Sequence, residues 1–360
     1  MGKLAFITSR IEMIKKTLLL FTCFTALLSC NQHSGRHDFE VDGIYYKIVD
    51  EDSRLAMVTY KGKDWDAYDH EYRDTILIPN TVTYRNKVYR ITEIGDYAFR
   101  GCSEMTSIAV PESVWHIGLG AFSGCEGLKE IHINSLSSWC EMSFYDVTDD
   151  AGDSPLHYAD GLYLDGELIT DLVVPDDATE IGAHAFEGYE KLRSVVLHNG
   201  IEAIYKSAFF NCTNLTDISF SDSLYYIGPY AFDLTSWYEN QPDGEIYTGR
   251  HFYKYKGEMS SNTSIVIKDG TETICQSAFE YCEGLTRITL PSSIRCIHDY
   301  AFYGCNNLKE IYCKASTPPH LNSFYSNYHK DVVLYVPLGT LETYKNDDLM
   351  GSFQNVVEIF

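Results

Sequence analysis

The chain has 360 residues, 45% of them hydrophobic, and its 28 Tyr and 18 Phe supply ample material for a core. Length alone allows two or three compact domains. A net charge of −23 repels phosphate backbones, which are held by Lys and Arg, so composition argues against a nucleic-acid partner. The same charge keeps an elongated protein soluble without naming a ligand.

From Met13 the chain reads MIKKTLLLFTCFTALLSC. Lys15 and Lys16 precede an apolar run, Leu18 to Leu28, too short for a bilayer span of about 20 residues and shaped like a secretory signal. Residues 1–12 lack that form, which points to Met13 as the natural start. The run ends in Leu27-Leu28-Ser29-Cys30, which resembles the lipobox of bacterial lipoproteins. That resemblance implies lipid on the Cys30 thiol and amine, a membrane anchor without a span. Leu28 departs from the small residue more usual at its position, and a plain signal peptide cleaved nearby is the alternative. Residues 1–30 are thus a leader, and 31–38 a polar tether.

Residues 39–92 read as a β-rich N-terminal cap. FEVDGIYYKIV and RLAMVTYKG alternate apolar and polar residues, as strands do. Arg85-Asn86 is expected to turn between two more strands.

From 93 to 313 a unit recurs. IGDYAFRGC at Ile94 returns as IGLGAFSGC, IGAHAFEGY, IYKSAFFNC, IGPYAFDLT, ICQSAFEYC and IHDYAFYGC. Phe99 and Phe122, Phe186, Phe209 and Phe232, and Phe279 and Phe302 are spaced by 23 residues within each group. A fixed period in the twenties with apolar residues in phase predicts a solenoid, one stacked core rather than separate domains. Each unit carries a short strand such as LTRITLP, whose β-branched residues favour pairing and whose Pro ends it. In IGxxAFxxC, Gly is expected to permit a bend and Phe to fill the coil interior. Insertions interrupt the stack at 135–177, with a hairpin expected at Asp165-Gly166, and at 234–270. Residues 314–360 read as a C-terminal cap of strand, helix (Leu338 to Asn346) and strand.

The seven I-(G)-x-x-A-F-x-x-(C) units and the L-x-x-I-x-L-P segments resemble the BspA-type leucine-rich repeats, seen in cell-surface proteins of gut and oral Bacteroidetes and of some protozoa. The resemblance implies a right-handed, β-dominated leucine-rich-repeat solenoid with a parallel sheet on its concave face, short turns opposite, and β-rich caps. It also implies adhesion or surface recognition, with a protein or a glycan as partner.

Eleven Cys in an exported chain first suggest disulfides. Cys102, Cys125, Cys212, Cys282 and Cys305, however, share one repeat position with Tyr189. An apolar slot suits buried, reduced thiols. Cys275 and Cys296 are offset by two positions, beyond disulfide reach. No metal motif appears, and Asp146, Asp149, Asp150 and Asp153 lack EF-hand spacing, so neither metal nor cofactor is expected. No GxSxG or phosphate loop appears, and no enzymatic activity is expected.

Period-2 alternation points Ser107, Glu130, His132, Asp217, Arg287, Glu310 and Tyr312 out of the concave strands, as candidate binding residues. Aromatics in the insertions, Trp139, Tyr145, Trp237, Tyr247 and Tyr253, are further candidates, since such faces suit sugars and proteins; packing of the hairpins onto the solenoid is the alternative. The chain therefore reads as a lipid-anchored binding or adhesion protein of a bacterial envelope, or as a structural scaffold there. It is placed at the outer membrane, facing either the surface or the periplasm. Asn31 to Ser34 lack the acidic residues often found after the Cys in surface lipoproteins of Bacteroidetes.

Overall fold

The computed structural model describes residues 37–62, 71–144, 154–321 and 331–359. The leader with Cys30, Tyr145 and the acidic residues Asp146, Asp149, Asp150 and Asp153 lie outside the described residues.

Two rows of short parallel strands run along the chain, one pair per coil, as a leucine-rich-repeat β-solenoid. The first row passes through Asp74–Leu77, Met105–Val110, Glu130–Ile133 and Gly161–Leu164. It continues through Asp171–Val173, Ser194–Val196 and Asp217–Ser219. Its last block is Thr263–Val266, Leu285–Leu290, Glu310–Cys313, Val333–Val336 and Asn355–Glu358. The second row is built from two-residue pairings at the start of each motif, such as Glu180–Ile181 on Ala203–Ile204 on Tyr226–Ile227. Both rows break where antiparallel hairpins cap a ladder: Gly161–Leu164 with Glu167–Leu168, and Gly244–Thr248 with His251–Lys256.

Parallel stacking reaches into both segments read as caps. Asp74–Leu77 pairs with Met105–Val110, and Val333–Val336 carries the ladder on to Asn355–Glu358. Arg85-Asn86 and Asp165-Gly166 turn their hairpins with positive φ, the backbone that matches strand twist.

Phe side chains form the spine. Rings of Phe186, Phe209 and Phe232 stack at 5.4 and 5.7 Å, and Phe279 and Phe302 at 5.5 Å. At the second insertion Phe252, from outside the motif, stacks on Phe279 at 4.4 Å. The adjacent Tyr253 meets Phe232 edge-on at 5.6 Å.

Backbone pairing tightens the corner. Where a regular coil follows, the Phe N–H donates to its Ala carbonyl: Phe99 to Ala121, Phe186 to Ala208, Phe209 to Ala231 and Phe279 to Ala301, at 2.8–2.9 Å. Thiols add to it: Cys125, Cys212 and Cys305 donate to the carbonyls of Phe99, Phe186 and Phe279 at 3.0–3.1 Å. All nine described cysteines are free.

The motif glycine has a different role from the one expected. Positive φ falls on the residues two before and two after Phe, such as Tyr97 and Gly101 around Phe99, not on Gly118 or Gly182. Those glycines allow coils to touch. A Cβ on Gly182 would lie 2.0 Å from the Met142 carbonyl oxygen, and one on Gly118 would lie 2.6 Å from the Asp96 amide nitrogen.

Candidate binding surface

Strand register brings the outward residues of the first row into ladders. Ser107 lies beside Glu130, and Ala109 beside His132, which faces Tyr163. Ser194 lies beside Asp217. Arg287 lies beside Glu310, and Thr289 beside Tyr312, which faces Tyr335. The alternation arises because Ile108, Ile131, Ile288 and Ile311 point inward and are buried, leaving their neighbours on the opposite face.

Two places on this face have distinct chemistry. Near the N-terminus an open depression of about 630 Å³ is lined by Thr75, Leu77, Ser107, Ala109, Glu130 and His132, among others. The His132 ring lies 3.0 Å from the Glu130 carboxylate and stacks on Tyr163 at 5.1 Å. Ser107 is only 8% exposed, so Glu130, His132 and the exposed Leu77 present most of the contact atoms.

Towards the C-terminus four side chains interlock. The Arg287 guanidinium donates to Glu310 at 2.6 Å and lies 5.4 Å from the Tyr312 ring centre. Tyr312 and Tyr335 stack at 4.4 Å with ring planes 20° apart, and the Tyr335 hydroxyl donates to Glu310 at 3.4 Å. The hydrogen bond to Glu310 holds the Arg287 pKa above its ordinary value. Exposed Val266 and Val357 flank the group on the same ladder. Because the two rings cover each other, they present edges and hydroxyls rather than faces. Such a surface suits shaped contact with a protein, where Tyr and Arg dominate binding energy.

Asp217 sits apart. It accepts from the Thr216 hydroxyl at 2.7 Å, next to the Arg193–Asp171 ion pair at 2.7 Å.

Among the described insertion aromatics, Trp139 and Tyr253 are buried, and Trp237 and Tyr247 are half-buried. Trp139 is fully buried, and its indole N–H donates to the Ala185 carbonyl at 2.9 Å. Tyr253 is 3% exposed; its hydroxyl donates to Asp233 at 2.8 Å and accepts from the Phe232 amide at 3.1 Å. Both are therefore withdrawn as binding residues, because each replaces a backbone partner that the irregular coil fails to supply. Trp237 packs edge-on against Phe232 and Phe220 at 5.4 Å. Tyr247 is covered on one side by the Lys268 ammonium, 3.9 Å from its ring centre.

Burial is the largest cause of the shift at the buried thiols and at His251. Burial pushes the Cys282 thiol up to about 11, and Cys125 and Cys296 to about 12. Desolvation lowers the His251 ring to about 4. Among the described residues no group of three His, Cys, Asp or Glu side chains is placed to hold a metal ion. No helix of the described residues is long and apolar enough to cross a membrane.

The BspA type leucine rich repeat region, in six copies, matches residues 77–149, 162–248 and 249–344. The chain belongs to the BspA-type leucine-rich repeat family. This BspA-type chain is similar to a leucine rich cell surface protein from Faecalibacterium prausnitzii, at 19% identity over 89% of this chain and 94% of that one, with a TM-score of 0.36. It is also similar to a leucine-rich repeat protein from Bacteroides ovatus, at 20% identity over 90% and 100% of the two chains, with a TM-score of 0.29. The pneumococcal vaccine antigen PcpA shares 15% identity over 89% and 98%, with a TM-score of 0.28. No curated protein matches the chain.

Tyr163 and Tyr335 were not anticipated as surface residues. The signal for Tyr335 was present, since it follows Tyr312 by 23 residues; the signal for Tyr163 was hidden by the 31 residues that separate it from His132.

Proposed function

We infer that this BspA-type protein is a non-catalytic binding protein of a bacterial envelope that engages a protein partner through the outward face of its first strand row. The carrying observation is the Arg287–Glu310–Tyr312–Tyr335 group. Four side chains from three successive strands are held in one arrangement by an ion pair, a ring stack and a hydroxyl contact. Side chains ordered in advance lose little further freedom on binding, which is what an anchor at the centre of an interface requires. Glu130, His132 and Leu77 around the N-terminal depression provide a second contact on the same face. The lipobox supports an anchor at Cys30, which would hold this face at the membrane on a short polar tether.

Binding of the purified protein to immobilised fibronectin, laminin and collagen tests the reading. Tyr335→Ala should weaken binding of the engaged protein about tenfold or more, while Tyr225→Ala, just before a second-row strand, should leave it unchanged. A panel in which nothing binds, or binding indifferent to Tyr335, contradicts it. Cys30→Ala should release the protein from the membrane fraction.

A further inference from the structure

A different corner of the solenoid carries exposed tyrosines in a backbone conformation that tyrosine disfavours. The residue two after Phe has positive φ in coil after coil, and it is Gly101, Gly124, Gly188, Asn211 or Gly304 in five of them. Glycine and asparagine are what this conformation selects. Tyr281 occupies the slot with φ 55°, and Tyr300, two before Phe302, has φ 56°.

Burial does not explain the choice. Tyr281 is 64% exposed, and Tyr300 and Tyr303 are each 38% exposed. At Tyr281 the strained backbone is kept for an exposed ring whose contacts lie on the surface and not in the core, a pattern that points to function.

The geometry indicates which function. A Cβ on Gly304 would lie 2.5 Å from Cδ1 of Tyr281, so the Tyr281 ring rests against the bare Gly304 backbone and turns the rest of its surface to solvent. Tyr303 stands edge-on to it at 5.3 Å and 73°, with a hydrogen bond between their side chains. Tyr300 stands edge-on to Tyr303 at 5.8 Å and 82°. A floor with an upright wall is thereby formed, unlike the mutually covered rings of Tyr312 and Tyr335.

An open aromatic surface attracts C–H groups through its negative π cloud, and the faces of sugar rings present such groups. The surrounding segments, QSAFEYCEG and HDYAFYGCN, contain Glu280, Glu283 and Asp299 and no Lys or Arg. These carboxylates accept hydroxyl hydrogen bonds but repel phosphate, sulfate and uronate groups. Three rings on one corner also fall short of the roughly 800 Å² per partner that a stable protein interface buries.

We propose that Tyr281, Tyr300 and Tyr303 form a stacking platform for a neutral sugar unit of a glycan, separate from the face that binds protein.

Saturation-transfer NMR and calorimetry of the purified protein with neutral gluco-, xylo-, manno- and galacto-hexasaccharides test it. At least one should bind, with saturation strongest at ring C–H positions. Tyr281→Ala and Tyr303→Ala should each weaken binding about tenfold, or 1.4 kcal/mol. Tyr281→Phe, which keeps the ring, should retain it. Tyr281→Gly supplies the residue that this backbone prefers, so it should fold at least as stably as the parent and still lose the sugar. Tyr335→Ala should leave sugar binding intact. The proposal is overturned if no hexasaccharide binds, if binding survives Tyr281→Gly, or if Tyr335→Ala abolishes it equally.

Discussion

The indole N–H of Trp139 donates to the carbonyl of Ala185 at 2.9 Å, taking the place that a Phe amide holds one coil earlier in the regular repeats. Coil 181–189 has no standard neighbour on that side, because the first insertion lies there. A buried carbonyl left alone costs about 1–3 kcal/mol. The Trp139→Phe variant keeps an aromatic ring but removes the donor. It should lose roughly 2 kcal/mol in urea unfolding, and Trp139→Ala about 3–5 kcal/mol. A Trp139→Phe protein as stable as the parent would show the bond to be dispensable.

Phe209 is stacked between Phe186 and Phe232 and is fully buried. Phe209→Ala should open a cavity that neighbouring coils cannot close, costing about 3–5 kcal/mol. Denaturant melts check it, and an unchanged midpoint would remove Phe from its role as spine.

The seam at the second insertion should be acid-sensitive. Burial holds the His251 ring near pKa 4, against an ordinary 6.5, where it hydrogen-bonds the Leu224 carbonyl beside Arg250, His298 and Glu272. A depressed histidine pKa means the fold favours the neutral ring. That stability is fully present above about pH 6.5 and drains away as pH falls towards 4, reaching roughly 3 kcal/mol. Desolvation lowers the His298 pKa as well, which adds in the same direction. Urea melts at pH 7.5, 5.5 and 4.5 should show the decline, and His251→Gln should flatten it. A decline of the same size in His251→Gln would assign the effect to other groups.

Leu234 stands at φ 60° and is 47% exposed. Leu234→Gly removes a side chain that blocks this backbone region, at a gain of about 1 kcal/mol. Thermal denaturation reads it, and a lower Tm would mean that contacts of Leu234 outweigh the relief.

Periodicity made most of the fold readable. The Ala-Phe spacing of 23 residues located the stack, and Ile108, Ile131, Ile288 and Ile311 set which strand residues face outward. The pair Tyr312 and Tyr335 keeps the same spacing, yet Tyr335 lies in a stretch whose motif has faded, so its strand was read as a cap. Trp139 and Tyr253 were unreadable for a different reason. Their burial follows from a missing hydrogen-bond partner in a coil distant in sequence, and composition shows only an aromatic. The role of Gly118 was likewise hidden, since a close approach between coils leaves the same letter as a turn.

Photocrosslinking tests the binding face most directly. A photoreactive amino acid is placed at position 335 or at position 225, just before a second-row strand, and each protein is irradiated with a matrix protein from the panel that it binds. The account predicts a discrete covalent adduct from position 335 and none from position 225. An adduct from position 225 alone would move recognition off the Tyr312–Tyr335 face and contradict it.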